Sequence, residues 1–365
     1  MFNSNYHKKK VLITGHTGFK GSWLSSWLIK LGAEVVGYSE GIPTTPSLFN
    51  ELRLERHLDH RIGDIRDLST LIALFEEVRP NFVFHLAAQS IVSTSFMKPI
   101  ETITTNVLGT ANVLEALRQV DYPCVAIIVT SDKCYENVEW LWGYKETDHL
   151  GGRDVYSGSK GAAEVIFHSY FHSFFDKSDS LVRLATGRAG NVIGGGDWAK
   201  DRIVADCMRN WAAKLPVEIR SPRSTRPWQH VLEPLSGYLS LGDALSQSAQ
   251  LAGESFNFGP RSEKSRTVLE LITDLSHYWN FDAPEQAYKV TSDIPFHEAG
   301  LLKLNCDKAL FQLNWESNLE YSENVKFVSE WYHGFYTSSN AFDMTIRQIE
   351  QYELEAKQKK LAWAK

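Results

Sequence analysis

Cysteine is scarce in this chain: Cys124, Cys134, Cys207 and Cys306 are the four in 365 residues. None pairs as CxxC and none shares a ligand spacing with histidine, so neither a disulfide framework nor a metal site is expected. A reducing cytoplasm fits that usage. Long apolar runs are also lacking; the best, such as Val125–Val129, fall far short of the roughly 20 residues that cross a bilayer. The opening MFNSNYHKKK is polar and basic, without the apolar stretch of about 7–15 residues that a secretory signal carries. A basic excess is missing too. With 38 Lys+Arg against 44 Asp+Glu the formal charge is −6, which argues against nucleic acid as the principal partner. An anionic small molecule stays compatible where Arg and Lys gather locally.

What is present is the composition of a soluble globular protein, 43% hydrophobic and 22% charged, which excludes a disordered, collagen-like or coiled-coil chain. At roughly 150 residues per domain the length suits two domains, or one large α/β domain with an appendage. Val11–Thr14 is a short apolar run ending in Gly15, and Ser22–Leu31 carries apolar residues at helical spacing with Gly32 as its C-cap. Glu34–Tyr38 is the next strand. The alternation continues with a helix over Leu68–Val78, a strand over Phe82–Leu86 and a helix over Thr104–Val120. Cys124–Thr130 is nearly all apolar, as a parallel strand buried on both faces should be. A long helix over Val155–Phe175 and a strand over Leu181–Leu184 follow. Strand and helix alternating in this way predict an α/β fold with a Rossmann-type doubly wound parallel sheet. After about residue 190 the texture changes to loops with clustered Arg and shorter helices. We expect residues 1–190 plus about 222–258 to form the dinucleotide-binding domain. About 191–221 plus 259–345 would make a smaller C-terminal α/β substrate domain, and 346–365 a helical tail.

Between the first strand and the first helix lies Gly15-His16-Thr17-Gly18-Phe19-Lys20-Gly21. Glycines there allow a tight turn, close approach of a pyrophosphate and close helix–strand packing, with the helix N-terminus facing the phosphates. A glycine-rich turn without a ligand is the plainer alternative. NAD is the expected cofactor. Ser39 stands where an acidic residue usually closes the second strand, with Glu40 beside it, and no Arg follows immediately to hold a 2′-phosphate. Asp64 and Ile65, after the third strand, are placed at the adenine; a carboxylate near the next helix N-terminus is the plainer alternative for Asp64. The second motif is Tyr156-Ser157-Gly158-Ser159-Lys160, which puts Tyr156 and Lys160 on one helix face. A tyrosine titrates near 10, and a nearby ammonium and a positive nicotinamide favour its phenolate. Lys160 also suits the nicotinamide ribose. Alone the spacing describes many surface pairs; with the glycine loop and a strand ending in Thr130-Ser131 it points to a base.

These motifs resemble the extended short-chain dehydrogenase/reductase superfamily over essentially the whole chain. GHTGFKGSWL at 15–24, TSDKCY at 130–135, GNVIGGGDW at 190–198 and RPWQHVLEP at 226–234 are similar to the CDP-glucose 4,6-dehydratases within it. The resemblance implies an NAD-dependent lyase acting on CDP-D-glucose for dideoxysugars of surface polysaccharide. It implies that Tyr156 takes the C4 hydroxyl proton, Ser131 hydrogen-bonds the C4 oxygen and Asp132 protonates the leaving C6 hydroxyl. Related dehydratases carry Glu after that Asp, and here the position is Lys133. Lys133 could be the C5 base, could act only electrostatically, or could simply pair with Asp132, and Glu136 is a substitute base. Leu86, Ala87, Ala88 and Gln89 fall where the superfamily lines the nicotinamide, with Ser90 towards the sugar. Asn106 matches the Asn that supports the site. Asn191 and Arg202 fall in the region that meets the diphosphate. Arg220, Arg226, Trp228 and His230 form a cluster suited to phosphate and base, although Trp228 could merely pack. His297 and Glu298 are further candidates at the nucleotide. Such enzymes commonly pair through helices near 104–120 and 155–175, so a homo-oligomer, dimer or tetramer, is expected.

The residues leave alternatives open: a dTDP-, GDP- or UDP-sugar 4,6-dehydratase, a nucleotide-sugar 4-epimerase, and a non-catalytic dinucleotide sensor. Asp132 favours dehydration over epimerisation, and the intact Tyr156/Lys160 pair speaks against a sensor.

Overall fold

A computed structural model describes residues 1–261, 265–279, 281, 283–291 and 300–365. Seven parallel strands form the central sheet: β1 (Lys10–Thr14), β2 (Glu34–Ser39), β3 (Asp59–Ile62), β4 (Phe82–His85), β5 (Cys124–Val129), β6 (Val182–Arg188) and β7 (Ser255–Asn257). Their order is β7-β6-β5-β4-β1-β2-β3. The order reverses beside β1, which opens a crevice at the carboxyl ends of β1 and β4, the place where such sheets take ligands.

Alternate residues of each strand feed opposite faces. Val11 and Ile13, Phe82 and Phe84, and Val125 and Ile127 point into one core, while Leu12, Val83, Ala126 and Ile128 point into the other. The second core is covered by α2 (Leu68–Val78), α3 (Gly109–Arg118) and α4 (Val155–Tyr170). The first is covered by α1 (Phe19–Lys30), α6 (Leu232–Gln247), α8 (Tyr321–Tyr336) and α9 (Ala341–Gln358). Between them in sequence lie α5 (Ile203–Ala212) and α7 (Val268–Ser276).

The strands and helices expected from periodicity are present, with shifted ends. Helix α1 starts at Phe19 rather than Ser22, because Gly18 is its N-cap. The helix expected over 104–120 opens with a π-helical turn, Thr104–Leu108, before α3, and the one over 155–175 closes with another, Phe171–Phe175. Strand β6 runs on to Arg188, four residues beyond the expected end. The later half does return to the sheet, through α6 and β7. Short strand pairs, Val192–Ile193 with Gln229–His230 and Val217–Ile219 with Tyr288–Val290, shape the ground between. The tail expected from 346 begins at Ala341 and is fastened to the first helix: Trp27 Nε1 and Lys30 Nζ each donate to the Glu353 carboxylate at 2.8 Å. Among the described residues no helix is long and apolar enough to cross a membrane.

Candidate active site

The glycine loop closes on itself between β1 and α1. Gly15 has φ +79°, and a Cβ there would meet the Ala87 nitrogen at 2.6 Å; a Cβ on Gly21 would lie 2.1 Å from the Gly15 carbonyl oxygen. Only glycine allows this close turn. Gly18 caps α1 without a side chain, so the first-turn N–H groups of Phe19, Lys20 and Gly21 have no side-chain cap and face outward with the positive end of the helix dipole. This cradle fits a dinucleotide pyrophosphate.

The end of β2 is tied to that loop. Thr17 Oγ1 donates to the Gly41 carbonyl at 2.6 Å. The Ser39 hydroxyl, expected at the adenosine ribose, is engaged instead by His16 Nδ1 at 2.9 Å and by the Thr17 N–H at 3.4 Å. His16 is itself buried, reaches His60 at 2.7 Å, and is pushed by burial down to about 4. Its ring therefore serves the loop from inside. The acidic group at this edge is Glu40, and the sequence reading missed its partner. Arg66 bonds Glu40 at 3.1 Å and Asp64 at 2.6 Å. Asp64 is not the helix cap; Asp67 caps α2. Ile65 is a core side chain, so only its backbone can face an adenine.

Beyond β4, Leu86, Ala87, Ala88 and Gln89 form the wall of the crevice. Asn106, in the π-helical turn, joins this wall to α4: its side-chain amide donates to the Gln89 carbonyl (3.0 Å) and to Ser159 Oγ (2.9 Å), and its oxygen accepts from the Gln89 N–H (2.8 Å). A π turn at a functional position is a recurrent device. The Gln89 side chain bonds Thr102 and the Ile91 N–H, so it builds the wall. His85 was not anticipated. It is buried between Thr14 Oγ1 and Thr110 Oγ1, and burial pushes it down to about 3.

Tyr156, Lys160, Ser131 and Asp132 are all buried and meet at the carboxyl end of β5. Asp154 caps α4 and Ser131 caps the short 3-10 turn Asp132–Cys134, so both sets are fixed by local hydrogen bonds. The Ser131 hydroxyl donates to Asp132 Oδ1 at 3.0 Å, and the Asn191 amide donates to Oδ2 at 3.3 Å. Asn191 has φ +53°, a left-handed conformation that Asn tolerates, and this turns it into the cleft. A small cleft lined by Asp132, Asn191, Pro227, Gln229 and Gly259 opens here. Burial pushes the Tyr156 phenol up, opposed by the Arg202 charge and a Ser131 hydrogen bond. Arg202, rather than Lys160, is thus the leading cation acting on it. Burial lowers Lys160 to about 8. Lys133 makes no ion pair or hydrogen bond through its ammonium among the described residues, so the simple pairing with Asp132 is not formed. Glu136 is exposed.

Behind these groups lies a network the sequence reading did not identify. Arg188, at the end of β6, forms a bidentate pair with Glu164, both about fully buried, through bonds of 2.9 Å. Glu164 also accepts from Thr130 and Thr186, and Arg188 donates to Tyr135 at 2.7 Å. Glu164 lies one turn beyond Lys160 on α4, the spacing that could have flagged it.

The expected substrate residues divide. Ser90 is exposed and its carbonyl meets Arg202 at 3.5 Å, which brings these two to the cleft mouth. Arg220 lies 3.8 Å from Asp201, and Arg226 donates to the Thr225 and Gly300 carbonyls. His230 is a correction: it is fully buried, edge-on between Trp23 and Phe327 at 5.6 and 5.4 Å, and cannot touch a ligand. Trp228 is likewise buried and packs in the core. His297 and Glu298 lie outside the described residues.

Residues 12–327 match the family model described as GDP-mannose 4,6 dehydratase. The chain is 44% identical to the CDP-glucose 4,6-dehydratase of Salmonella typhimurium, over 96% of this chain and 98% of the relative. Its fold is similar to DesIV, a dTDP-glucose 4,6-dehydratase from Streptomyces venezuelae solved with NAD and TYD bound (TM-score 0.76, 19% identity, 89% of this chain and 97% of that one). It is also similar to the UDP-glucuronic acid 4-epimerase of Bacillus cereus in complex with UDP-glucuronic acid and NAD (TM-score 0.75, 22% identity, 89% and 99%).

Proposed function

The chain belongs to the GDP-mannose 4,6-dehydratase family, and from that premise we propose that it dehydrates CDP-D-glucose to CDP-4-dehydro-6-deoxy-D-glucose with NAD as its cofactor. The observation that carries this reading is the meeting of Tyr156, Lys160, Ser131 and Asp132 at one carboxyl edge, beside a glycine cradle fit for a dinucleotide.

Water cannot leave across C5–C6 of a sugar until C5–H is acidified, and a ketone at C4 does that. NAD, which the glycine loop Gly15–Gly21 with Tyr156 and Lys160 would hold, would supply reversible hydride chemistry for C4 oxidation and C6 reduction. Tyr156 takes the C4 hydroxyl proton and Ser131 holds the C4 oxygen. Arg202 favours the Tyr156 phenolate, and Lys160, one helical turn from Tyr156, would hold the nicotinamide ribose. Lys133, whose ammonium has no hydrogen bond or ion pair among the described residues, removes the C5 proton or steadies the enolate charge. Asp132, oriented by Ser131 and Asn191, serves as the general acid that delivers a proton to the C6 hydroxyl, which departs as water. Arg202, Arg220 and Arg226 serve the diphosphate. Glu40 and Asp64 outnumber Arg66, which leaves the ribose edge net acidic and favours a free 2′-hydroxyl over a 2′-phosphate.

We place the enzyme in the cytoplasm, in dideoxysugar and O-antigen (lipopolysaccharide) synthesis. Residues 191–221 with 259–345 form the part that faces the nucleotide sugar. A homo-oligomer forms through the adjoining segments 99–108 and 155–175, where Ile100, Ile103, Leu108, Val165 and Phe174 are exposed. Purified protein with CDP-glucose should yield a 4-keto sugar, seen by its alkaline absorbance, with no net NADH. Turnover of only other nucleotide sugars would overturn the base assignment.

A further inference from the structure

Gln229 is polar, almost fully buried, and lines the small cleft beside Asp132. It lies in the short strand Gln229–His230, which runs parallel to Val192–Ile193, and its N–H reaches the Asn191 carbonyl at 3.2 Å. Its neighbours Trp228 and His230 are taken up by the core, and the alternation of an extended chain turns Gln229 the opposite way. The side-chain nitrogen donates to two carbonyls, that of Gly190 at 2.9 Å and that of Phe258, just after β7, at 3.1 Å. Exchanging the two ends of the amide would press its oxygen against both carbonyl oxygens, so these bonds fix which end is which. Both N–H groups of the amide are thereby used. The acceptor end, Oε1, is buried and has no donor among the described residues. Proteins seldom bury an amide oxygen in that condition.

The same amide stands next to the acid. Gly190, whose carbonyl it holds, packs on the Asp132 carboxyl so closely that a Cβ there would lie 1.8 Å from Oδ2. Asn191, whose carbonyl takes the Gln229 N–H, donates to that same oxygen at 3.3 Å. Asp132, Asn191 and Gln229 thus converge on one cleft.

We propose that Gln229 holds the departing oxygen: Oε1 accepts a hydrogen bond from the C6 hydroxyl of the hexose while Asp132 protonates that oxygen. This rests on reading Asp132 as the acid of a CDP-glucose dehydratase. A hydroxyl carries one proton and two lone pairs, so it donates to Gln229 and accepts from Asp132 at once. In the elimination the C5 proton goes to the base and the C5–H electron pair becomes the C5–C6 double bond. The C6–O bond breaks, and the oxygen leaves as water with its own proton and that of Asp132. No proton passes to Gln229. As the oxygen gains its second proton its O–H groups become more acidic, so the bond to Oε1 tightens in the transition state, which is where it accelerates the loss of water.

The test is a cycle between substrate and side chain. Tyr156→Phe serves as the background, so that a bound sugar is not oxidised. Titration calorimetry gives the dissociation constants of CDP-glucose and CDP-6-deoxyglucose with Gln229 present and with Gln229→Met, each protein checked by a melting curve. With Gln229, CDP-glucose should bind about tenfold more tightly than the 6-deoxy sugar. Gln229→Met should narrow that preference to about twofold, chiefly by weakening CDP-glucose. In protein that retains Tyr156, Gln229→Met should slow elimination about tenfold and leave C4 oxidation unchanged, so that reduced cofactor accumulates in the first turnover. Where Gln229→Met fails to fold, Gln229→Asn, which keeps an amide but withdraws it by one methylene, should give the same narrowing. Equal weakening of the two sugars, or a preference that the substitution leaves unchanged, overturns the proposal and makes Gln229 a tether for the Gly190 and Phe258 carbonyls. Oxidation and elimination slowed alike overturn it too. Failure of the Tyr156→Phe protein with Gln229 intact to bind either CDP-sugar would instead defeat the reading of the site.

Discussion

Asp132 is buried, and its two carboxyl oxygens accept from Ser131 and Asn191, which fixes the orientation of the group beside the site. Asp132→Asn keeps the shape and removes the acid. C4 oxidation should proceed while elimination slows by about 10²–10⁴, so stopped-flow absorbance should show reduced cofactor accumulating in the first turnover. No build-up counts against the acid role. Lys133→Ala separates a base from a bystander: loss of C5 hydrogen exchange with solvent, with oxidation intact, assigns the base to Lys133, and continued exchange removes it. At the other end of the cofactor, Glu40 and Asp64 hold Arg66 in a surface cluster of net charge −1, from two acids and one base. Glu40→Gln makes it neutral and frees part of the guanidinium. Affinity for NADP should rise about three- to tenfold relative to NAD, the scale of an exposed charge contact. An unchanged preference would show that the 2′ position lies away from this cluster.

Helix α4 and strands β5 and β6 are held together by the Glu164–Arg188 pair, which binds the element carrying Tyr156 and Lys160 to the one carrying Ser131 and Asp132. Burial opposes the Glu164 charge, but the Arg188 guanidinium and the hydroxyls of Thr130 and Thr186 hold its carboxyl well below the usual range. Glu164→Leu or Arg188→Met alone leaves an uncompensated buried charge and should cost about 3–5 kcal/mol in urea unfolding; the double variant should cost much less than their sum. Single losses below about 1 kcal/mol would refute a tight pair. The same elements show what periodicity could reach. β5 was legible because it is apolar on both faces, and α2 because its stripe is regular. The end of β6 was not, since Arg188 reads as a surface residue until Glu164, 24 positions away, is packed against it. The break at Thr104–Leu108 was hidden for the same reason, because Asn106 takes its partners from the β4 wall and from α4. In the site, residues inside contiguous motifs were legible by type and spacing. Which face a motif residue presents was not, and so His230 and Trp228, beside Gln229, belong to the core.

Across the whole molecule one apolar core joins the first residues to the last: the Phe2 ring stacks on Trp363 at 5.2 Å, and α9 lies against α1 and α8. The exposed apolar residues at 100–108 and 165–174 lie outside that core, so Leu108→Asp should shift the protein to a smaller species in light scattering while its melting point changes little; an unchanged mass would move the interface elsewhere. A buried acid on α6 ties that helix to the segment before α8 and to α9. Glu233 on α6 accepts the Asn318 and Leu319 N–H groups at 2.9 and 2.6 Å and the Tyr352 hydroxyl of α9 at 2.9 Å. Burial raises it from 4.5 to about 7, against those hydrogen bonds and the Lys359 charge. A carboxyl raised in this way holds its proton more firmly folded than unfolded. Its contribution is therefore complete below the ordinary value and is lost as pH rises through about 7. Three buried histidines run the other way: His16 is lowered to about 4, and His85 and His230 to about 3, so each weakens the fold as pH falls below 6.5. Opposed slopes of this kind put maximal stability slightly on the acid side of neutrality. Glu233→Gln keeps the volume and cannot titrate, so the stability difference between native and variant isolates the acid from the histidines. That difference should move by about 3 kcal/mol against the native protein between about pH 5 and 8, read from denaturant midpoints at fixed ionic strength. A difference that stays level over the same interval would mean that Glu233 is ionised throughout, with its three donors and Lys359 outweighing its burial.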